Sequence, residues 1–374
     1  MIKVPEHIKQ LKSYKAGISA GELKKKYGLN KVARLDSNEN TAQASPRAIQ
    51  AMKQATADAR WYPDGACTEI RRKISEHIGV DTKNVVVGNG SESVLSYIFN
   101  AFFNPGDELL TSNGTFVATY IWAAANNIKV WKTALTQNYS FDLVSIFQNI
   151  TSSVKAIYLA NPNNPTGSMF TESEFMAVMN RVPDDILIIV DEAYHEYALK
   201  LSDEYPNTAL MNFPNVITLR TFSKAYGLAG VRIGYGIADE ILIESLMKMK
   251  LTFEPSVIAQ AAGIGALDDQ EFVDRVVQRN KIELQKYYQL FDDLELNYPK
   301  SYGNFVMIDL GMEQNVQHVH QQLLKRGVMT RPLAAYGLPK GLRVTVGRPW
   351  ENEMFFRAFM EVHDLLKEGL KRST

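Results

Sequence analysis

A run of aliphatic residues leads directly into a carboxylate in the stretch Ile186-Leu-Ile-Ile-Val-Asp-Glu-Ala-Tyr194. Consecutive apolar residues without polar alternation are typical of a strand buried on both faces, as strands of parallel sheets are. Amphipathic helical stretches separate this run from others like it, namely Val85–Val87, Ala156–Leu159, Val216–Leu219 and Ile233–Ile237. The alternation predicts an α/β fold with a mostly parallel, doubly wound sheet.

The pattern changes after about Leu267. A long polar-rich helical stretch, Asp269–Tyr288, is followed by the alternating segment Asn304–Leu310 and the helical segment Val316–Arg326. This mixture indicates a second, smaller α+β domain. The predicted parts are residues 1–45, an N-terminal arm with part of the small domain; residues 46–267, a large ligand-binding domain; and residues 268–374, the C-terminal small domain.

Charge and cysteine content exclude several classes of function. The chain of 374 residues carries 41 Lys and Arg against 41 Asp and Glu, so it lacks the positive field of proteins that bind nucleic acid or anionic membranes. A single cysteine, Cys67, indicates a reducing compartment, and we expect the cytoplasm. His318 and His320 would point to different faces of a helix, so we expect no metal site.

One lysine stands among residues suited to an anion. It lies in Thr221-Phe-Ser-Lys-Ala-Tyr-Gly-Leu-Ala-Gly-Val-Arg-Ile-Gly-Tyr235, which follows a predicted strand. The hydroxyls of Thr221 and Ser223 and the guanidinium of Arg232 suit a phosphate, and a cationic pocket would disfavour the ammonium form of Lys224. Lys224 is therefore a candidate Schiff-base nucleophile. The alternative at this point is a solvated lysine in a glycine-rich surface loop.

Polar residues follow two other strands. Asp191 would lie at the carboxyl end of a buried strand, where open α/β sheets bind ligands, and a protonated aromatic ring nitrogen would be its partner. Capping of the next helix is the alternative. The loop Asn161-Pro-Asn-Asn-Pro-Thr-Gly167 could present the amide of Asn164 to a ring oxygen, or be only a turn. A helix predicted to start at about Ser91 would offer free backbone amides to phosphate.

Together these segments resemble the fold type I pyridoxal-phosphate enzymes and, among them, the histidinol-phosphate aminotransferase group. The segments occur in the family order and the resemblance covers nearly the whole chain. The motifs that carry it are Asn161–Gly167, Asp191–Tyr194, Thr221–Lys224 with Arg232, Leu342–Gly347, Ser13–Gly17, Leu35–Asn40 and Trp61–Asp64.

The resemblance implies a pyridoxal 5'-phosphate site. Lys224 would hold the cofactor covalently and move the proton at the substrate Cα, Asp191 would pair with the ring nitrogen, and Tyr194 would tune the ring oxygen; these three are the implied catalytic residues. Tyr62 would reach the phosphate of the neighbouring subunit's cofactor, which implies an active homodimer. The implied cofactor-binding residues are Gly90, Ser91, Glu92, Phe116, Asn164, Asp191, Tyr194, Thr221, Ser223, Lys224, Arg232 and Tyr62.

The implied reaction is transamination, with a small-molecule amino donor and a 2-oxo acid acceptor: L-histidinol phosphate and 2-oxoglutarate give imidazole acetol phosphate and L-glutamate. Arg343 resembles the arginine that fold type I aminotransferases direct at the substrate anion. A phosphate dianion favours a second cation, for which Arg331 is the candidate, with a surface ion pair as the alternative. Tyr14 and Asn38 complete the implied substrate site.

Three segments depart from the family pattern, so the substrate is not fixed by the resemblance. They are Thr41 in place of proline, Glu92-Ser93 in place of Asp-Glu, and Gly114 in place of proline. An aromatic or broad-specificity amino acid aminotransferase and a threonine-phosphate decarboxylase-like enzyme are the enzyme alternatives. A third alternative is a catalytically silent regulator built on the same fold. Such regulators usually carry a DNA-binding extension, and the chain has no basic helix-turn-helix segment.

Overall fold

The structure is a computed structural model that describes residues 2–11 and 17–372, with side chains as far as residue 365. The strands are β1 (Ala33–Arg34), β2 (Val85–Gly88), β3 (Glu108–Ser112), β4 (Lys129–Thr133), β5 (Val154–Ala160), β6 (Leu187–Asp191), β7 (Val216–Thr221), β8 (Gly234–Ile237), β9 (Phe305–Asp309), β10 (Val328–Met329), β11 (Arg331–Pro332) and β12 (Gly341–Thr345). The α-helices are α1 (Glu6–Lys9), α2 (Ala20–Tyr27), α3 (Pro46–Ala55), α4 (Thr68–Ile78), α5 (Ser91–Phe102), α6 (Val117–Ala125), α7 (Leu143–Gln148), α8 (Glu172–Met179), α9 (His195–Leu201), α10 (Glu240–Met249), α11 (Val257–Leu267), α12 (Gln270–Asp293), α13 (Glu313–Lys325) and α14 (Pro349–Arg372).

A seven-stranded sheet forms the centre of the molecule. Its strand order is β2-β8-β7-β6-β5-β3-β4, and only β8 runs antiparallel to its neighbours. The predicted α/β fold with a mostly parallel sheet is therefore confirmed. Each aliphatic run named above lies wholly or mostly within a strand of this sheet, and the carboxyl ends of β5, β6 and β7 meet at one edge.

Two strands of this sheet were not predicted from the sequence. The first, β3, begins with Glu108, and the edge strand β4 has Lys129 and Lys132 among its five residues. Most β4 side chains are exposed or half-buried, so its sequence lacks the continuous apolar character of a central strand. Lysines on an edge strand oppose pairing with other chains, which explains why this strand carries them.

Both faces of the sheet are covered. Val86 of β2 packs in one hydrophobic cluster, while its neighbours Val85 and Val87 pack in another. Because successive side chains of a strand point to opposite faces, these two clusters are the two sides of the sheet. Continuous burial of this kind requires apolar residues at every position of a strand, which is what the aliphatic runs supply.

A third cluster joins the two ends of the chain. Ala33 and Leu35 pack there with residues of α12, α13 and α14 and with β9 and β12. The β1 strand pairs in parallel with β10, and β11, β12 and β9 form a separate antiparallel sheet. The helical and alternating segments predicted beyond Leu267 correspond to α12, β9 and α13. The division of the chain at residues 45 and 267 stays a prediction.

No helix among the described residues is long and apolar enough to cross a membrane. Over the same part of the chain, no group of three or more His, Cys, Asp or Glu side chains is arranged to hold a metal ion. His320, one of the two histidines set aside above, contacts the hydroxyl of Thr330 through its Nδ1 atom, at 3.1 Å.

Candidate active site

A cavity of about 210 Å³ lies at the carboxyl edge of the central sheet. Such an edge is where open α/β sheets bind ligands, because the loops that follow neighbouring strands converge there. The cavity gathers ten of the twelve residues predicted to hold a cofactor. The lining residues are Ser37, Glu39, Ser91, Glu92, Phe116, Ala160, Pro162, Asn164, Asp191, Ala193, Tyr194, Thr221, Ser223, Lys224, Ala229 and Arg232.

One end of the cavity is built to receive an anion. The α5 helix begins at Ser91 after Gly90, which has a φ of 88° and gives the helix no side-chain cap. The orphan amides of that helix therefore remain for a ligand, with the positive end of the helix dipole behind them. Arg232 lies against Gly90: a Cβ on Gly90 would come within 2.6 Å of its Nη2 atom. Thr221 and Ser223 add hydroxyls 3.0 Å apart.

Asp191, the last residue of β6, also lines the cavity. Its Oδ1 accepts a hydrogen bond from the backbone N–H of Ala193 at 3.1 Å, and its Oδ2 accepts one from the Tyr158 hydroxyl at 2.8 Å. Burial raises the pKa of this carboxyl to about 6. The helix-capping alternative is wrong, because the N-cap residue of α9 is Tyr194 and no side chain caps that helix.

Lys224 lines the same cavity and is partly buried. Its Nζ atom is 3.4 Å from the carbonyl oxygen of Ser37 and 5.5 Å from the centre of the Tyr194 ring. Burial, reinforced by the positive charge of Arg343, lowers the pKa of this amine to about 8. The alternative of a solvated surface lysine is therefore wrong, and a much larger fraction of Lys224 is neutral near pH 7 than for an ordinary lysine.

Tyr194 is held by a residue that the sequence analysis placed in the substrate site. Asn38 is buried and donates from Nδ2 to the Tyr194 hydroxyl at 2.9 Å, while its backbone N–H donates to Thr345 Oγ1. Because that hydroxyl accepts from Asn38, its own proton remains available to a ligand oxygen. Phe305 packs edge-on against the Tyr194 ring. A direct contact between Asn38 and substrate stays a prediction.

Two arginines lie opposite each other on adjacent strands of the small antiparallel sheet. Arg331 of β11 and Arg343 of β12 are register partners. Both donate to the backbone carbonyl of Asp36, at 3.3 Å and 2.7 Å respectively, and Arg331 also pairs with the Asp36 carboxylate at 3.4 Å. Like charges directly opposite each other are destabilising, so this arrangement favours an anion between them. The ion-pair alternative for Arg331 is thus present in the structure.

Arg343 also contacts Asn164, which lines the cavity. Its Nη1 donates to Asn164 Oδ1 at 2.6 Å, which leaves the Nδ2 group of Asn164 as the donor toward the cavity. The guanidinium is buried and packs near the rings of Phe305 and Tyr336. Asn164 belongs to the predicted rigid loop, whose final Gly167 has a φ of 82° and packs against Ser301.

Several predicted residues are not among those that line the cavity. They are Gly90, Asn38, Arg331, Arg343 and Tyr62. The Tyr62 side chain is 80% exposed and stacks on Phe253, with ring centres 4.2 Å apart. Tyr14 lies outside the described residues. Conversely, three residues that line the cavity or contact its predicted residues were not predicted as part of the site: Glu39, Asp36 and Tyr158. Glu39 and Asp36 fall within the quoted motif Leu35–Asn40, but no local signal separated Tyr158 from the other residues of its strand.

Comparison with known proteins agrees with this geometry. A family model described as "Aminotransferase class I and II" matches residues 30–359. The chain belongs to the class I and II aminotransferases. It is 38% identical over 369 residues to a histidinol-phosphate aminotransferase of Geobacillus thermodenitrificans, with 98% of this chain and 99% of the relative covered. It is 37% identical over 363 residues to that of Bacillus subtilis strain 168, with 96% and 100% covered.

Solved structures of aminotransferases share the fold. Histidinol-phosphate aminotransferase of Sinorhizobium meliloti, in complex with pyridoxal-5'-phosphate, superposes with a TM-score of 0.89 at 26% identity, covering 98% of this chain and 99% of that one. Aspartate aminotransferase of Thermus thermophilus gives a TM-score of 0.84 at 20% identity, with 97% and 100% covered, and shows the fold alone. The aminotransferase described here therefore has the fold type I architecture.

Proposed function

We propose that this aminotransferase uses pyridoxal 5'-phosphate to transfer the amino group of L-histidinol phosphate to 2-oxoglutarate, which yields imidazole acetol phosphate and L-glutamate in histidine biosynthesis. The relatives that match nearly the whole chain at 37–38% identity carry the name of this activity. The observation that carries the proposal is the facing pair Arg331 and Arg343. Two adjacent guanidiniums suit a phosphate dianion better than a single carboxylate.

The residues of the cavity fit the proposed cofactor. Its phosphate matches the uncapped start of α5 together with Arg232. Gly234 allows β8 to approach the start of α5 closely, because a Cβ at that position would lie 2.3 Å from the Ser91 nitrogen. A protonated ring nitrogen would neutralise Asp191, whose burial without a cation is costly. Phe116 lines the cavity beside these groups and supports a flat aromatic ligand.

The side chains have separable tasks in the proposed reaction. Bound pyridoxal phosphate supplies an electron-withdrawing ring that stabilises the charge left at the substrate Cα. Lys224 would take the Cα proton on its Nζ atom, and its lowered pKa makes the neutral amine available for this. Tyr194 and Asn164 would donate to the ring oxygen, while Arg331 and Arg343 would orient the substrate by its phosphate.

We further propose a homodimer in which Tyr62 reaches the partner's cofactor phosphate. The exposure of Tyr62 and of the ring on which it stacks, Phe253, supports an interface at this surface. We also propose the cytoplasm as the site of action, because the lone Cys67 suits a reducing compartment.

A half-reaction experiment tests the proposal. The protein loaded with pyridoxal phosphate is mixed with L-histidinol phosphate, phenylalanine or threonine phosphate without an acceptor, and the cofactor absorbance is followed. We expect rapid conversion to the amine form of the cofactor with L-histidinol phosphate and slow conversion with phenylalanine. Faster conversion with phenylalanine would indicate an aromatic aminotransferase. Release of carbon dioxide from threonine phosphate would indicate a decarboxylase.

A further inference from the structure

A fully buried tyrosine lies behind Asp191. Tyr158 belongs to β5, and its hydroxyl donates to Asp191 Oδ2 at 2.8 Å. The two parallel strands pair Tyr158 with Ile189 and Ala160 with Asp191. Because alternate residues of a strand share a face, Tyr158 lies on the same face as Ala160 and reaches Asp191 along the diagonal. The contact therefore depends on the register of two central strands.

Two hydrogen bonds hold the carboxylate of Asp191 from both sides. Tyr158 donates to Oδ2, and the backbone N–H of Ala193 donates to Oδ1 at 3.1 Å. A carboxylate oxygen accepts about two hydrogen bonds, so each oxygen keeps capacity for a further donor from the cavity that Asp191 lines. With one donor on each oxygen, the group is fixed in rotation as well as in position.

The tyrosine is a permanent donor. Burial and the nearby Asp191 charge raise the pKa of Tyr158 well above its ordinary value, so its hydroxyl stays protonated. Its hydrogen bond lowers the pKa of Asp191, which opposes the upward effect of burial. Without the Tyr158 hydrogen bond, the ionised form of the buried Asp191 carboxyl would be less favoured.

We propose that Tyr158 is a positioning residue that holds Asp191 ionised and aimed at the ring nitrogen of the bound cofactor. The inference rests on the proposed function, because it requires that pyridoxal phosphate bind in this cavity. It assigns a role to a residue that touches neither cofactor nor substrate. A residue that acts in this way affects the strength of cofactor binding and its dependence on pH, beyond its effect on packing.

The test compares Tyr158→Phe with a matched control. Tyr298→Phe also removes a tyrosine hydroxyl that donates to a carboxylate, Asp292 Oδ1 at 2.6 Å, at a site outside the cavity. The dissociation constant of pyridoxal phosphate is measured by fluorescence titration of the cofactor-free protein between about pH 5 and 9. We expect Tyr158→Phe to weaken binding about tenfold at neutral pH, the usual range for a hydrogen bond to a charged group, and Tyr298→Phe to leave it unchanged.

The pH profile separates positioning from packing. In the wild-type protein we expect the affinity to fall as pH drops through the pKa of Asp191, because the carboxylate becomes protonated. Loss of the Tyr158 hydrogen bond raises that pKa, so the fall should begin about one pH unit higher. The other titratable groups that act on Asp191 are unchanged in both variants; they are Lys224, Glu192, Tyr194 and Tyr205.

Each outcome decides the inference. An equal loss at every pH with an unmoved midpoint, or affinities equal to those of Tyr298→Phe, would overturn it while leaving the proposed function intact. Wild-type protein that binds no pyridoxal phosphate would overturn both. Should Tyr158→Phe not fold, Asp191→Asn is compared with the Asp191→Asn, Tyr158→Phe double variant. Equal affinities are expected there because no charge remains to be held, and a further loss would overturn the inference.

Discussion

At the scale of single residues, two effects act in the same direction on Lys224. Its side chain is removed from water, and the guanidinium of Arg343 repels its positive charge, so the pKa falls to about 8. The carboxylates of Glu39 and Asp191 oppose this shift without cancelling it. Burial raises the pKa of Asp191 to about 6, so the pKa values of Lys224 and Asp191 both lie nearer to neutrality than those of free lysine and aspartate.

The first prediction concerns the reactivity of Lys224. The rate at which cofactor-free protein is labelled by pyridoxal phosphate, trapped by reduction and located by mass spectrometry, should rise with pH through about 8. In Arg343→Gln the midpoint should move to higher pH, because a repelling cation is gone and the ammonium form is favoured. An unmoved midpoint would contradict this account.

A pair of lysine variants controls the same experiment. Lys224→Ala should lose the label and lower turnover by about 10²-fold or more, the usual contribution of a positioned base. Lys132→Ala removes an exposed lysine, which packs over the Tyr120 ring outside the cavity. It should retain both label and turnover. Full turnover in Lys224→Ala would refute the assignment of Lys224.

At the scale of elements, the site depends on how strands place groups that are distant in sequence. The close approach of β8 to α5 presents the helix amides to the cavity, and this approach requires Gly234. The pairing of β11 with β12 brings Arg331 opposite Arg343. The β1 strand leads into Asp36, whose carbonyl accepts from both arginines.

The second prediction tests the approach of β8 to α5. In Gly234→Ala the new Cβ would lie 2.3 Å from the Ser91 nitrogen and 2.7 Å from the Gly90 carbonyl carbon, both backbone atoms. We expect a loss of about 1–3 kcal/mol in the free energy of unfolding and weaker binding of pyridoxal phosphate, measured by urea denaturation and fluorescence titration. Gly230→Ala, where the Cβ would meet open space, should change neither. Equal behaviour of the two variants would count against this packing.

The third prediction tests the anion site between the arginines. Asp36→Asn removes the carboxylate that competes for Arg331 and keeps the carbonyl. Because the Asp36 pair is partly exposed, we expect inorganic phosphate to inhibit the variant only about twofold to fivefold more strongly than the wild type. Asp268→Asn, which breaks an ion pair with Lys73 outside the cavity, serves as control. Weaker inhibition in Asp36→Asn would contradict an anion site here.

At the scale of the whole molecule, one surface is left apolar around Tyr62. Trp61, Leu251 and Phe253 are exposed with it, although such side chains are normally buried. Exposed apolar groups close together mark interaction surfaces, and a second copy of the chain is the partner proposed above. The complete site would then contain residues of two chains.

The fourth prediction is complementation between two variants that are each expected to have reduced activity. Lys224→Ala and Tyr62→Ala proteins are unfolded together in equal amounts, refolded and assayed. Random pairing gives mixed dimers in about half of the molecules, each with one intact site, so about a quarter of wild-type activity should return. Each variant refolded alone is the control. No gain on mixing would contradict a site shared between subunits.

Much of the site was predictable because its residues follow strongly apolar strands. Asp191, Asn164 and Lys224 come directly after such strands, and parallel strands present their carboxyl ends at one edge. The helix that begins at Ser91 was predicted from its glycine turn, although that motif alone is a weak signal. The strands β3 and β4 were missed: β3 is largely buried but begins with Glu108, and most side chains of the edge strand β4 are exposed or half-buried.

The amino-acid sequence by itself determined the class of fold, five strands of the central sheet and most residues of the candidate cofactor cavity. These features depend on local apolar runs and on the residues that follow them. Only the tertiary structure decided that Tyr158 supports Asp191, that Arg331 faces Arg343 and that both arginines contact Asp36. The physical reason is that such contacts depend on strand order and register, which are set by packing between distant segments and leave no local pattern in the chain.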